Sequence, residues 1–401
     1  MTRPPFASRT AWDLHENTLA ALVSEARRNG RDLADLTESN PTRCSIFPIE
    51  PLIELLGHPR GAAYQPASLG HPDARRAVAR YYEERGLRAA EDQITLSAST
   101  SEAYGWLFKL LCERGDQVLV PAPSYPLLEY LAHLEDVTIA PYPLVREERF
   151  AIDLGALEEL AASGRARAIA LIHPNNPTGT FVRREQAEAV EALADRFGLA
   201  LIVDEVFGDY AHKPLPADRL PSFAGRERAL TFVLSGLSKV AALPQVKLGW
   251  IAASGPADRV GEAMRRLEVI ADTYLSVSTP VQLALPEILA ARGGIQRAIL
   301  ERVLQNLAAL DGALEAFGEN TAVRRLPVEG GWYAILQVPR TLDEDEWISL
   351  LVREEGVLVH PGYFFDMERE GFLVVSLLPE PKAFASAAAR LIHRIEHAAG
   401  R

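Results

Sequence analysis

The sequence predicts an α/β protein: a large domain on a mainly parallel sheet, with a smaller α+β domain. Three observations predict it. Between about Ile94 and Trp250, short apolar runs alternate with amphipathic helical patterns, an order that lays strands side by side and covers both faces of the sheet. Beyond that region, long helical patterns precede a few strands and a closing helix. No repeat, low-complexity block or Pro/Gly/Ser linker cuts the 401 residues into independent modules, and the length suits a core split between two domains.

The runs "QVLVPAP", "VTIAPYPL", "AIALIHP", "LALIVDEV", "ALTFVLSG" and "KLGWIAAS" are short, apolar and end at turn or polar residues, as buried strands do. Between them, "STSEAYGWLFKLLCERG" and "RREQAEAVEALADRFG" carry helical periodicity, and Gly198 closes the second as a C-cap. In the last third, "PVQLALPEILAARGG" and "QRAILERVLQNLAALDGALEAFG" read as two helices. The strands "GGWYAILQV", "GVLVHPG" and "GFLVVSLL" follow, then a helix from about Pro381.

Composition narrows the function. An apolar content of 48% and a charged content of 24% describe an ordinary globular protein. A net charge of −12 argues against nucleic acid or an anionic membrane as partner. Cys44 and Cys112 cannot form a disulfide framework, and no Cys/His cluster has zinc spacing, so no metal is expected. The start "MTRPPFASRT" lacks the apolar core of a signal peptide, and no apolar run approaches membrane-spanning length. A cytoplasmic protein is the expectation.

In an open sheet of this kind, ligands bind beyond the carboxyl ends of the strands, and four such ends carry unusual chemistry. In "LSASTSEAYG", Ser99 and Glu102 have the form of a capping box, and a helix start with small hydroxyls suits a phosphate. In "HPNNPTG", Asn176 precedes Pro and Gly, where a turn residue is the ordinary reading. Asp204 follows an apolar run directly, a costly place for a carboxylate unless it has a partner; a helix N-cap is the alternative.

The fourth end is "SGLSKVAALPQVKLGW". Lys109, Lys213, Lys239, Lys247 and Lys382 are the only lysines among 42 basic residues. A surface charge in so Arg-rich a chain would be Arg. An amine can lose its proton and act as a nucleophile, whereas guanidinium stays charged. Lys239, just after "TFVLSGLS", is therefore the candidate for covalent chemistry.

Taken in chain order, the helix-start hydroxyls, the aromatic of "PAPSYP", Asn, Asp and Lys resemble the pyridoxal-phosphate (PLP) enzymes of fold type I. The resemblance is specifically to class I/II aminotransferases, and it runs from "LTESNPT" to "VSLL". It implies a PLP-binding large domain of residues 45–285. The small domain would combine residues 286–401 with an N-terminal segment, 1–44, on the substrate side. It also implies that Lys239 holds PLP as a Schiff base and shuttles a proton, while the amino group passes through a pyridoxamine intermediate to a 2-oxo acid. Asp204 would pair with the pyridinium nitrogen, Asn176 would donate to the ring oxygen, and Tyr125 would stack on the ring. Ser99, Thr100 and Ser101 would cradle the phosphate, joined by Ser235 and Lys247. Tyr64 of "YQPASLG" would reach a phosphate across a dimer interface, making the active unit a homodimer with shared sites.

The chain departs from that pattern in three places. The family's Asp-x-x-Tyr ends here in Phe207, so a phenol is missing. Its phosphate-binding Arg is Lys247, which keeps the charge without bidentate geometry. Its Arg-x-Ser in the C-terminal strand is Val374-Val375-Ser376, and that Arg binds the substrate's α-carboxylate. Arg43, beside Asn40 in "LTESNPTR", is the expected replacement, with Arg9 a weaker one; the other outcome is an amine substrate. A PLP-dependent lyase or cyclase, and a PLP-binding regulator without turnover, are the alternative functions.

Overall fold

The structure, a computed structural model, describes residues 6–12, 14, 15, 17–318 and 321–400. The first five residues of the N-terminal stretch read above lie outside the described residues.

Eight strands form the main sheet. Their order across it is Ile94–Ser97, Gly249–Ser254, Thr231–Gly236, Ala200–Asp204, Ala166–Ile172, Gln117–Ala122, Thr138–Val145 and Ala151–Ile152. The central pairings are parallel, from Thr231–Gly236 through to Thr138–Val145. Gly249–Ser254 runs antiparallel to both its neighbours. Apolar side chains go to both faces: Ile169 and Leu171 join one core cluster, Ala168 and Ala170 the other. This two-sided burial is why the strands read as continuous apolar runs rather than alternating ones. The helix Arg184–Phe197 ends at Gly198, whose φ of 67° is left-handed, as its C-cap position requires.

A smaller antiparallel sheet has the order Arg324–Arg325, Tyr333–Gln337, Phe372–Ser376, His360–Pro361. The helix Pro381–Ala398 is buried along one side. The N-terminal segment is tied to this region: Ala34–Asp35 pairs in parallel with Val357–Leu358, and the Ser376 N–H donates to the Leu36 carbonyl at 2.7 Å.

The two helices expected after residue 279 are one. Thr279–Glu315 runs unbroken for 37 residues through Pro286 and through Gly293–Gly294. Each glycine costs roughly 1 kcal/mol against Ala in a helix interior. Ile288 and Leu289 before the pair, and Ile295, Ile299 and Val303 after it, bury in the same core cluster, so packing overrides the local signal. The expected domain boundary at 285/286 thus falls within a helix. Gln296 of this helix donates to the Val240 carbonyl at 2.9 Å and to Asp209 at 2.8 Å, fixing it against the turn that carries Lys239.

Among the described residues no helix is long and apolar enough to cross a membrane. Cys44 and Cys112 are both free thiols.

Candidate active site

The carboxyl ends of the central strands open into a cavity of about 330 Å³ whose wall includes Thr100, Ser101, Tyr125, Asn176, Asp204 and Lys239. Residues from five separate stretches of the chain therefore meet where the sheet topology sends them.

Ser99 is the N-cap of the helix Thr100–Leu111, its hydroxyl oxygen accepting from the Glu102 N–H at 3.1 Å. Glu102 reaches back to the Ala98 N–H rather than that of Ser99, so the box expected here is shifted by one residue. Ser99 spends its oxygen on the cap, and Thr100 and Ser101 face the cavity. Gly249 lets this helix start lie close to the sheet. A Cβ there would come 3.0–3.2 Å from the backbone of Ser99, Thr100 and Ser235.

The two asparagines of "HPNNPTG" divide their work. The Asn175 oxygen accepts from the Thr178 hydroxyl at 2.9 Å, and its amide donates to the Pro123 carbonyl, so it holds the loop. Asn176 is buried, lines the cavity and has an amide oxygen without a partner. His173, pushed down to about 3 by burial, is a neutral structural group that contacts the Leu220 carbonyl at 2.9 Å.

Asp204 ends its strand with one oxygen accepting from the Val206 N–H at 3.1 Å. Burial lifts its carboxyl to about 6, opposed by that N–H, by Lys239 and by the Tyr104 hydroxyl. Its neighbour Glu205 points away, held by the Ser222 hydroxyl and the Phe223 N–H, each at 2.6 Å. Lys239 lies on the short helix Leu237–Val240, directly after the strand Thr231–Gly236. Burial pushes its ammonium down to about 8, with Asp204 pulling the other way. Its Nζ lies 5.1 Å from the Trp332 ring centroid and 5.7 Å from that of Phe207. The Tyr210 hydroxyl holds the Lys239 carbonyl at 2.6 Å.

Phe207 lines the cavity and packs edge-on to Trp332, so the position where a phenol was expected faces Lys239. Ser235 is buried, its hydroxyl unpaired, and it does not line the cavity. Lys247 is exposed at a left-handed φ of 56°, outside the lining. Tyr64 is 77% exposed in a separate recess, away from Lys239.

Arg43 and Asn40 border an outer recess that also reaches Lys239. The Arg43 side chain is 73% exposed and ion-paired with Glu38 at 3.3 Å. The Asn40 oxygen caps Thr42, accepting from its N–H at 3.1 Å and from its hydroxyl at 2.8 Å. Arg9 pairs with Asp136 at 3.0 Å and borders neither opening. Val374 is fully buried, between Ile335 and His360 in the small sheet.

Among the cavity residues that sequence reasoning missed, four bear on its chemistry and walls. Tyr104 stands one helical turn after Thr100, a spacing that places both on one face, and its buried hydroxyl faces Asp204 without a hydrogen bond of good geometry. Tyr333, His360 and Phe365 come from the small sheet and its loop, and only the three-dimensional register brings them in.

Comparison with known proteins places this geometry. Residues 42–391 match the family model of aminotransferase class I and II, and the chain belongs to that family. It is 30% identical over 332 residues to the alanine aminotransferase of Mycobacterium tuberculosis, covering 81% of this chain and 76% of that protein. It is 27% identical to the valine–pyruvate aminotransferase of the same organism, over 92% of this chain and 91% of that one. In fold it is similar to the alanine aminotransferase of Pyrococcus furiosus, with a TM-score of 0.84 and 22% identity over 98% of this chain and all of that one. The chain is a PLP-dependent aminotransferase, moving an amino group from an amino donor to a 2-oxo acid.

The residues present fit that cofactor. A buried amine whose pKa burial lowers to about 8 suits an aldehyde, and a buried carboxylate suits a ring nitrogen that carries a proton. Asn176 brings to the cavity wall a side-chain amide that can donate to a ring oxygen, and a helix start brings hydroxyls and N–H groups for a phosphate.

Proposed function

We propose that the cavity around Lys239 is the active site, and that its residues divide between holding PLP and handling the substrate. Bound PLP supplies an electron sink that stabilises negative charge at the substrate's α-carbon. Lys239 presents the amine that anchors the cofactor and then carries the proton at its Nζ. Asp204 keeps the ring nitrogen protonated by charge-assisted hydrogen bonding. Tyr125 covers one ring face, and Asn176 donates to the ring oxygen. Thr100 and Ser101, with Ser99 at the cap, would receive the phosphate, and Ser235 and Lys247 would add a hydroxyl and a charge.

The observation that carries this reading is the meeting of Lys239, Asp204 and Asn176 in one cavity. The substrates are an amino acid and a 2-oxo acid, with Arg43 and Asn40 at the mouth on the carboxylate side. The chain divides into a large domain, 45–285, and a small one that joins 1–44 to 286–401. The active unit is a homodimer in which an exposed Tyr64 completes the partner's phosphate site. It would show as a dimer by sedimentation, with Tyr64→Phe weakening PLP binding; a monomer with full PLP affinity refutes that part.

Screening amino donors against pyruvate and 2-oxoglutarate, while following cofactor absorbance, tests the whole. A donor should change the absorbance and a 2-oxo acid should restore it. Release of ammonia without restoration would instead indicate an elimination.

A further inference from the structure

A 2-oxo acid carries its carboxylate beside the carbon that reacts, so the carboxylate must enter the cavity with it. Between aromatic and aliphatic walls, a carboxylate is costly without a charged partner. Among the described residues lining the cavity, Lys239 and His360 are the only basic ones, and Lys239 is committed to the reacting centre. Arg43 stands at the mouth in its pair with Glu38. His360 stands inside.

Packing fixes the ring of His360. It lies parallel to Phe364, with centroids 5.4 Å apart and planes 9° apart, and edge-on to Phe365 at 5.6 Å. Its strand pairs it with Val374, whose aliphatic side chain cannot compete for a carboxylate. A neutral imidazole carries a proton on one ring nitrogen and a lone pair on the other.

We propose that His360 is the specificity-determining group that receives the substrate carboxylate, taking up one proton as it does so. Neutral, its free nitrogen offers a lone pair that a carboxylate avoids. Protonated, it offers a charged N–H donor. The proton comes from solvent and returns there when the acid leaves. Burial holds the free imidazole below its usual value, opposed by Asp35 and the Thr37 carbonyl. The other ionisable groups lining the cavity with it are Tyr104, Tyr125, Asp204, Lys239 and Tyr333. Asp35 does not repel the incoming acid strongly, because the Thr37 N–H at 2.9 Å and Arg27 at 3.8 Å already meet its charge.

This deepens the proposed function and rests on the cavity being the active site. The linkage has a definite sign: a ligand that raises a lowered histidine pKa binds more weakly as pH rises. The loss approaches tenfold per pH unit between the free and bound pKa values.

The experiment is calorimetry on the PLP-loaded enzyme with 2-oxoglutarate and with 3-phenylpropanoate, in buffers of different ionisation enthalpy between pH 5.5 and 8. Wild type should take up about one proton per acid bound. His360→Asn and His360→Gln, checked for an unchanged cofactor spectrum and thermal midpoint, should take up none and bind at least tenfold more weakly. Arg43→Ala should keep the proton uptake. The proposal is overturned if wild type binds neither acid or takes up no proton, if either His360 variant keeps the uptake, or if only Arg43→Ala weakens binding. Failure of the active-site assignment would look different, because the donor-induced absorbance cycle would then be absent.

Discussion

The cavity has a floor and a roof, and they are built differently. The floor is the carboxyl edge of one sheet, where Asn176, Asp204 and Lys239 each follow an apolar strand within a few residues. The roof is assembled from Thr37 and Ser39 of the N-terminal segment, Tyr333 of the small sheet, and His360 with its following loop. The sequence departs from the resembled pattern at Phe207 on the floor, and behind the roof Val374 stands beside His360 in place of the expected arginine. A part defined by one sheet is hard to alter piecemeal. A part that draws on separate stretches can exchange one recognition group for another.

If the floor is the chemical half, damage there should be largest. Asp204→Asn removes the charge that keeps the ring nitrogen protonated, and turnover should fall by roughly a hundredfold or more, as for loss of a preorganised electrostatic partner. PLP should also bind less tightly; near-normal turnover would remove Asp204 from the floor.

The buried amine gives a second, graded test. Because burial depresses the Lys239 ammonium to about 8, the reactive free amine grows as pH rises to that value. The rate at which apoenzyme takes up PLP should rise up to tenfold per pH unit below about 8 and level off above it. A rate still climbing at pH 10 would mean an ordinary exposed lysine.

On the roof side the effects should be selective. Arg43→Ala should raise KM for an amino-acid donor about tenfold, roughly 1.4 kcal/mol, with the PLP spectrum unchanged. An unchanged KM, with simple amines reacting as well as amino acids, would replace the carboxylate reading with an amine substrate. The smallest change returns to the floor: Phe207→Tyr should restore a donor near the ring oxygen and move the yellow-to-colourless titration to lower pH. No shift, or a shift upward, would mean the side chain misses the cofactor.

The floor was legible because ligands bind beyond the carboxyl ends of the strands, and the polar residues at those ends follow from the strand pattern. Its fold was legible for the same reason, with one gap: an apolar run such as "KLGWIAAS" carries no direction, and Gly249–Ser254 proved antiparallel. Local signals misled where packing outweighed them, as at Gly293–Gly294 inside the helix Thr279–Glu315. The roof was hidden for a different reason. His360 belongs to a two-residue strand whose place depends on register with Val374 and Leu373, and no short window of sequence contains that register. Tyr104 could have been found from its spacing after Thr100, since positions four apart share a helical face.

The central claim is that Lys239 is the one lysine that holds the cofactor. Borohydride reduction of the PLP-loaded enzyme, followed by peptide mapping, tests it directly. The pyridoxyl group should lie on Lys239 and be absent from a folded Lys239→Ala protein. A label on Lys247 or Lys213 would contradict the account.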